Sequence, residues 1–159
     1  MTSPKLLFFA GSARKESCNK KLAKAASALA AEKGADVTFV DLADYEMPIF
    51  CEDLETEKGM PENAQAFKDL LISHDGFFVS LPEYNGLPTP LLKNALDWAS
   101  RPSSKDEPGL IAYKDKVVAL GAASPGGLGG IRVLPIIRTM LSSIGCHVVS
   151  QQIAIGGAF

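Results

Sequence analysis

Between Gly11 and Asn19 the chain reads Gly-Ser-Ala-Arg-Lys-Glu-Ser-Cys-Asn, a run whose residue types suit the holding of an anion. Ser12, Ser17 and Asn19 are neutral hydrogen-bond donors, and Arg14 adds a charged fork that can meet two acceptor oxygens at once. A phosphate monoester is the natural guest, because it offers two charges and several acceptor oxygens. The run lacks the Gly-Lys-Ser/Thr of magnesium-dependent phosphoryl transfer and the GxGxxG of dinucleotide binding. A plain helix entry capped by Ser or Asn is the competing account, but a cap needs a single polar residue.

Two further runs have the composition of ligand loops. Leu81-Pro82-Glu83-Tyr84-Asn85-Gly86-Leu87-Pro88-Thr89-Pro90 is stiffened by its prolines, while Gly86 permits positive φ or close backbone approach. Tyr84 offers a flat face and a hydroxyl, so the run can border a planar ring, or it is simply a proline-rich turn. Ala123-Ser124-Pro125-Gly126-Gly127-Leu128-Gly129-Gly130 has four glycines in eight positions, a backbone that a ligand can approach without side chains in the way, or a flexible connector.

The elements between these runs alternate in type. Lys5 precedes the apolar run Leu6–Ala10, a strand with both faces covered. Leu22, Ala25, Ala26 and Leu29 recur on one helical face, with Gly34 as the stop, and Val37–Val40 is a second strand. The stretch from Asp44 to Pro61 is irregular. A helix from Pro61 to near His74 leads into a third strand, Phe77–Leu81. Thr89 as N-cap and Pro90 at the first position open a third helix that closes at Arg101-Pro102. A fourth strand, Val117–Ala122, is followed by a helix over Arg132–Ile144, which tolerates Pro135 only if its first turn begins near Val133 or Leu134. His147–Ile155 is the fifth strand.

This alternation predicts right-handed crossovers and a parallel sheet with helices on both faces. Five strands fit the order 2-1-3-4-5, a flavodoxin-like three-layer α/β/α sandwich. Ligands of such sheets bind beyond the carboxyl ends of the strands at the switch point, between strands one and three, where the three loops emerge.

A chain of 159 residues makes one domain that buries roughly two thirds of its unfolded surface. With 16 basic and 18 acidic side chains the net charge is -2, which argues against nucleic acid or a polybasic membrane contact as partner. Cys18, Cys51 and Cys146 have neither disulfide-framework nor zinc-pair spacing, so a reducing cytoplasm is expected. The apolar run near Met1 is too short for a signal segment, and no stretch reaches the ~18 apolar residues of a span, so membrane insertion is not expected.

The combination of Gly11–Asn19 with Pro82-Glu83-Tyr84-Asn85-Gly86, followed by Leu92-Lys93-Asn94-Ala95-Leu96-Asp97-Trp98, resembles the NADPH-dependent FMN reductase family, whose members include chromate, quinone and azo-dye reductases. The resemblance runs through essentially the whole chain. It implies noncovalent FMN and NADPH or NADH as co-substrate. Ser12, Arg14, Ser17, Cys18 (through its backbone) and Asn19 would form the phosphate loop. Pro82, Glu83, Tyr84, Asn85 and Gly86 would border the isoalloxazine ring, with Ser124 and Gly127 on the third side. It also implies a homodimer or homotetramer whose pocket the partner completes, with Trp98 to Arg101 as the interface candidate. Relatives run further into a fifth helix that covers one sheet face, so the expectation is either a tail beyond Phe159 or a face left to a partner subunit.

The expected activity is hydride transfer from nicotinamide to flavin, then reduction of a small acceptor such as a quinone, azo compound, chromate or free flavin. The cofactor supplies that chemistry, so no side chain need act as acid, base or nucleophile and no metal is called for. His74 and His147 lack any metal or catalytic pattern. Cys18 at a positive loop is a candidate for oxidation. Two rivals share the fold: a nonenzymatic flavodoxin-like electron carrier, disfavoured by the weak charge and by Arg14, and a phosphate-ester-binding regulatory module without flavin.

Overall fold

A computed structural model of the chain describes residues 2–158. In chain order it has β1 (Lys5–Ala10), α1 (Cys18–Glu32), β2 (Asp36–Phe39), α2 (Glu52–Lys58), α3 (Glu62–Ser73), β3 (Gly76–Ser80), β4 (Glu83–Tyr84) and β5 (Leu87–Pro88). It continues with α4 (Pro90–Ala99), β6 (Val117–Ala123), α5 (Val133–Ser143) and β7 (His147–Ile155). The long strands form one parallel sheet in the order β2-β1-β3-β6-β7, which is 2-1-3-4-5 when only those five are counted. The expected flavodoxin-like topology is therefore the observed one.

The continuous apolar strands follow from burial on both faces. Leu7, Phe9, Phe77, Val79, Val118 and Leu120 point to the face that carries α3, α4 and α5. Phe9 meets Phe67 of α3 edge-on, with ring centroids 5.3 Å apart. The alternate residues Leu6, Phe8 and Phe78 face the side of α1. That helix leaves a groove of about 310 Å³ over this face, where Val117 is 52% exposed.

Pairing register decides where the loops begin. Ala10 lies opposite Ser80, and Ser80 opposite Gly121, so β1, β3 and β6 run out at one edge. Gly11 is held there by donating to Ser80 O at 3.0 Å and accepting from Thr89 Oγ1 at 2.7 Å. A Cβ at Gly11 would come within 2.9 Å of Leu92 Cβ, so the first loop must leave the sheet through a glycine to pack against α4.

Three features differ from the sequence reading. The irregular stretch holds a 3-10 turn at Leu42–Asp44 and the short helix α2. The proline-rich run is a β4–β5 hairpin, described below. Trp98 is no interface anchor: it is fully buried, donates Nε1–H to Pro48 O at 2.8 Å and stands edge-on to Phe50. Its neighbour Arg101 is committed to both carboxylate oxygens of Glu55. Pro135 causes no kink, because it is the third residue of α5, where a backbone N–H has no intrahelical acceptor.

Lys68 of α3 is 1% exposed, and its ammonium donates to Arg101 O, Ser103 Oγ and the Glu107 carboxylate. Burial raises the Glu107 pKa, but the bonds from Lys68 and Ser103 outweigh it and hold the carboxyl below the usual glutamate range. A depressed folded-state pKa means that the stabilisation is present at neutral pH and is lost as acid protonates Glu107. Glu107→Gln is expected to cost about 3 kcal/mol at pH 7, because it strands a buried ammonium. Urea unfolding should show wild type and variant converging as the pH falls through the carboxylate range; a gap independent of pH would contradict the pairing.

Candidate functional site

The three loops meet in one cleft beyond the strand ends. Ser12, Arg14, Ser17, Cys18 and Asn19 come from the first loop and the start of α1, Pro82, Glu83 and Tyr84 from the second, and Ser124 and Pro125 from the third. Asn85 and Gly86 form the tip of the β4–β5 hairpin. Gly127 does not line the cleft. The enclosed space is about 120 Å³. Pockets that bury whole drug-sized ligands measure roughly 300 Å³ or more. The cleft has room for a compact charged group only, so anything larger attached to such a group would have to lie on the open rim.

The first loop is built to donate. Ser17 is the N-cap of α1, with extended φ, and its Oγ accepts from Lys20 N at 3.4 Å. Ser12 Oγ accepts from Arg14 N at 3.3 Å. In both residues the hydroxyl hydrogen is left to donate elsewhere. The amides of Cys18 and Asn19 belong to the first turn of α1 and have no intrahelical acceptor, so they point their partial positive charge outward. Arg14 is exposed, with one 3.4 Å contact to Glu16 O. These donors fit a phosphate monoester.

Asn19 contributes in a way that its place in the motif does not reveal. Its side chain is buried, and its Nδ2 donates to Ala123 O at 2.8 Å. Its Oδ1 accepts from Ala123 N at 2.9 Å and from Ser80 Oγ at 2.8 Å. Since a backbone N–H can only donate, the orientation of this amide is fixed by its partners. The side chain therefore joins the ends of β1's loop, β3 and β6, and only its backbone N–H faces outward. Ala123 went unrecognised because its partner is 104 residues away.

The second loop reverses over two residues with positive φ, Asn85 at 54° and Gly86 at 83°, the Asn-Gly signature of a type I′ hairpin. Tyr84 stands 53% exposed beside the cleft. The Glu83 side chain is turned toward α5, where it accepts from Arg132 and Val133 amides and pairs with the Arg132 guanidinium. The acidic residue of this loop is thus neutralised within the protein.

The third loop is bound to the end of β7: Ser124 N donates to Ile155 O and Ala158 N to Ser124 O, both at 3.0 Å. Cys18 Sγ donates to Ala158 O at 3.3 Å. Cys146 lies far from the cleft, where it contacts Tyr113 O, and burial pushes its thiol up to about 12, so it stays protonated. His74 is engaged by Leu70 O and Thr38 Oγ1 as a structural residue. Among the described residues no group of three or more His, Cys, Asp or Glu could hold a metal ion, and no helix is long and apolar enough to cross a membrane.

The chain is similar to known proteins along most of its length. "Probable NADPH:quinone oxidoreductase 2" from Oryza sativa subsp. japonica is 35% identical over 155 residues, covering 94% of this chain and 71% of its own. A quinone reductase from Pseudomonas putida is 37% identical over 131 residues, covering 82% of this chain and 66% of its own. Among solved structures, the flavoenzyme NAD(P)H:(acceptor) oxidoreductase FerB from Paracoccus denitrificans superposes with a TM-score of 0.76 at 29% identity, over 93% of this chain and 76% of that one. The family described as NADPH-dependent FMN reductase matches residues 4–159. Because that match runs through all three loops as well as the sheet that many folds share, the chain belongs to the NADPH-dependent FMN reductase family.

Proposed function

We propose that FMN binds noncovalently with its phosphate in the cleft of the first loop and its ring on the rim beside the hairpin, and that NADPH or NADH and a small acceptor use the open face in turn. The observation that carries this reading is the donor set at the start of α1, which faces a cleft large enough for a phosphate and open toward Tyr84. Ser12, Ser17, Arg14 and the Cys18 and Asn19 amides bind the phosphate. Pro82 to Gly86 border the ring, and Ser124 closes the third side. Bound FMN supplies the chemistry of taking two electrons from a reduced nicotinamide and handing them to an acceptor. The chain's residues bind and orient it; none is required as acid, base or nucleophile.

A quinone is the proposed acceptor class, supported by the names of the rice and Pseudomonas relatives; azo compounds, chromate and free flavin are the other acceptors of an open ring. The unpaired thiols suit a reducing cytoplasm. A homodimer or homotetramer belongs to the same reading. The apolar patch of Leu87, Pro88, Ile136 and Met140 beside the hairpin is its contact face, in place of Trp98.

Arg14→Ala tests the phosphate assignment. It is expected to weaken FMN affinity by about 1 to 3 kcal/mol, the worth of a charge-assisted contact. Apoprotein stability should change by less than about 0.5 kcal/mol, since the side chain is exposed. Flavin fluorescence titration beside urea unfolding reads both. Unchanged FMN affinity removes Arg14 from the site, and a chain that never quenches FMN fluorescence overturns the proposal.

A further inference from the structure

We propose that Glu83 is a positioning residue, holding the β4–β5 hairpin and the start of α5 as one unit on the ring side of the site. The inference rests on the flavin reading above. A hairpin with two residues in each strand has little stability of its own, so its position must come from outside. Glu83 supplies that anchor. Its side chain is 11% exposed, and its Oε2 accepts from Arg132 N at 3.0 Å and Val133 N at 3.3 Å. Helix α5 has no side-chain cap from its own N-cap residue, so a carboxylate from about 50 residues earlier in the chain takes over that task.

Close packing at Gly130 extends the coupling to the third loop. Gly130 stands two residues before the N-cap Arg132, and a Cβ there would lie 3.8 Å from Glu83 Cβ and 3.0 Å from Ala122 Cβ. The strand end, the hairpin and the glycine loop therefore share one packed junction. The third bond of the carboxylate, Oε1 to the Arg132 guanidinium at 2.9 Å, is of a different kind, because the Arg132 side chain is 60% exposed. An exposed ion pair contributes little, whereas loss of the cap leaves the first amides of α5 without a protein acceptor. The cap is the part that positions Tyr84 and Asn85.

Titrating the full-length apoprotein with FMN and with riboflavin separates this role from the others. Glu83→Ala is expected to weaken both flavins by the same factor, about tenfold, because the loss lies on the ring side. Arg14→Ala should weaken FMN alone. Arg132→Gln keeps the whole cap, so it should stay within about threefold of wild type. The double variant Glu83→Ala/Arg132→Asp places a carboxylate at the N-cap of α5, which recovers thermal stability but not the tether to the hairpin. Its flavin affinity should remain as weak as that of Glu83→Ala, and it provides a folded test if the single variant does not fold.

Wild-type affinity in Glu83→Ala overturns the inference. So does affinity restored in the double variant, which would make Glu83 a stabiliser of α5 only, or Arg132→Gln as damaging as Glu83→Ala, which would make the ion pair the active element. If wild-type protein binds neither flavin, the flavin reading fails and this inference falls with it; if wild type binds both and Glu83→Ala is unaffected, the inference fails alone.

Discussion

Asn19→Ala is expected to destabilise the apoprotein by about 3 to 5 kcal/mol, since each buried polar group left without a partner costs about 1 to 3 kcal/mol. Three such groups are exposed by the change: Ser80 Oγ, Ala123 N and Ala123 O, all now served by one side-chain amide. Their positions are the ends of β3 and β6, so the loss loosens the second and third loops from the first. FMN binding should fail with it. Asn19→Asp is no rescue, because a carboxylate can accept from Ser80 and Ala123 N but faces Ala123 O without a proton to donate. Urea unfolding distinguishes this from Arg14→Ala, which leaves the fold intact and weakens only FMN. An Asn19→Ala protein as stable as wild type would show that the amide is not the joint between the loops.

Gly129→Ala is the second large effect. Gly129 has φ +62°, and a Cβ there would lie 2.6 Å from Ile155 C and 2.7 Å from Gly156 N. Those are backbone atoms and cannot swing away. The left-handed conformation alone disfavours a side chain by about 1 to 2 kcal/mol, and relieving the overlap adds a comparable amount. At roughly 3 kcal/mol in total, the melting temperature should fall by about 6 to 12 °C. Gly127→Ala is the internal control. Nothing stands within 4 Å of its Cβ position, so it should melt with wild type although it lies in the same glycine run. Equal loss in both variants would mean that the loop senses glycine content rather than this one close approach.

The contrast between these two glycines shows what could be read from the chain alone. Four glycines in eight residues announced a close backbone approach, and the approach exists, but which glycine makes it depends on β7, whose end returns to the loop. Strand order, the Thr89-Pro90 helix start and the tolerance of Pro135 were legible, because periodicity and capping are local. Asn19 lines the cleft with the rest of its loop, but its side-chain role is not legible in the sequence, since both partners are distant along the chain. Glu83 is the same case, with α5 about 50 residues on.

Other misses were local and their signals were present. Asn85-Gly86 between two short extended pairs is a strong two-residue hairpin signature, masked by Pro82 and Pro88, which argued for an irregular turn. Helix α2 has no apolar periodicity, but Glu52, Asp53 and Glu55 in its first turn, Lys58 in its last and Gly59 beyond it complement a helix dipole and end a helix. Trp98 was open for the opposite reason: a large aromatic near a site loop can anchor a helix or a subunit contact, and only its burial and the bond to Pro48 O decide for the helix.

The central claim is that this fold holds FMN at the first loop and lets a nicotinamide reach it. Stopped-flow mixing of FMN-reconstituted protein with NADPH under anaerobic conditions tests it most directly. The flavin absorbance should bleach rapidly and return when a quinone is added. A protein that remains colourless after incubation with excess FMN, or one that holds yellow flavin and does not bleach with NADPH or NADH, would contradict the account, the second result pointing to an electron carrier.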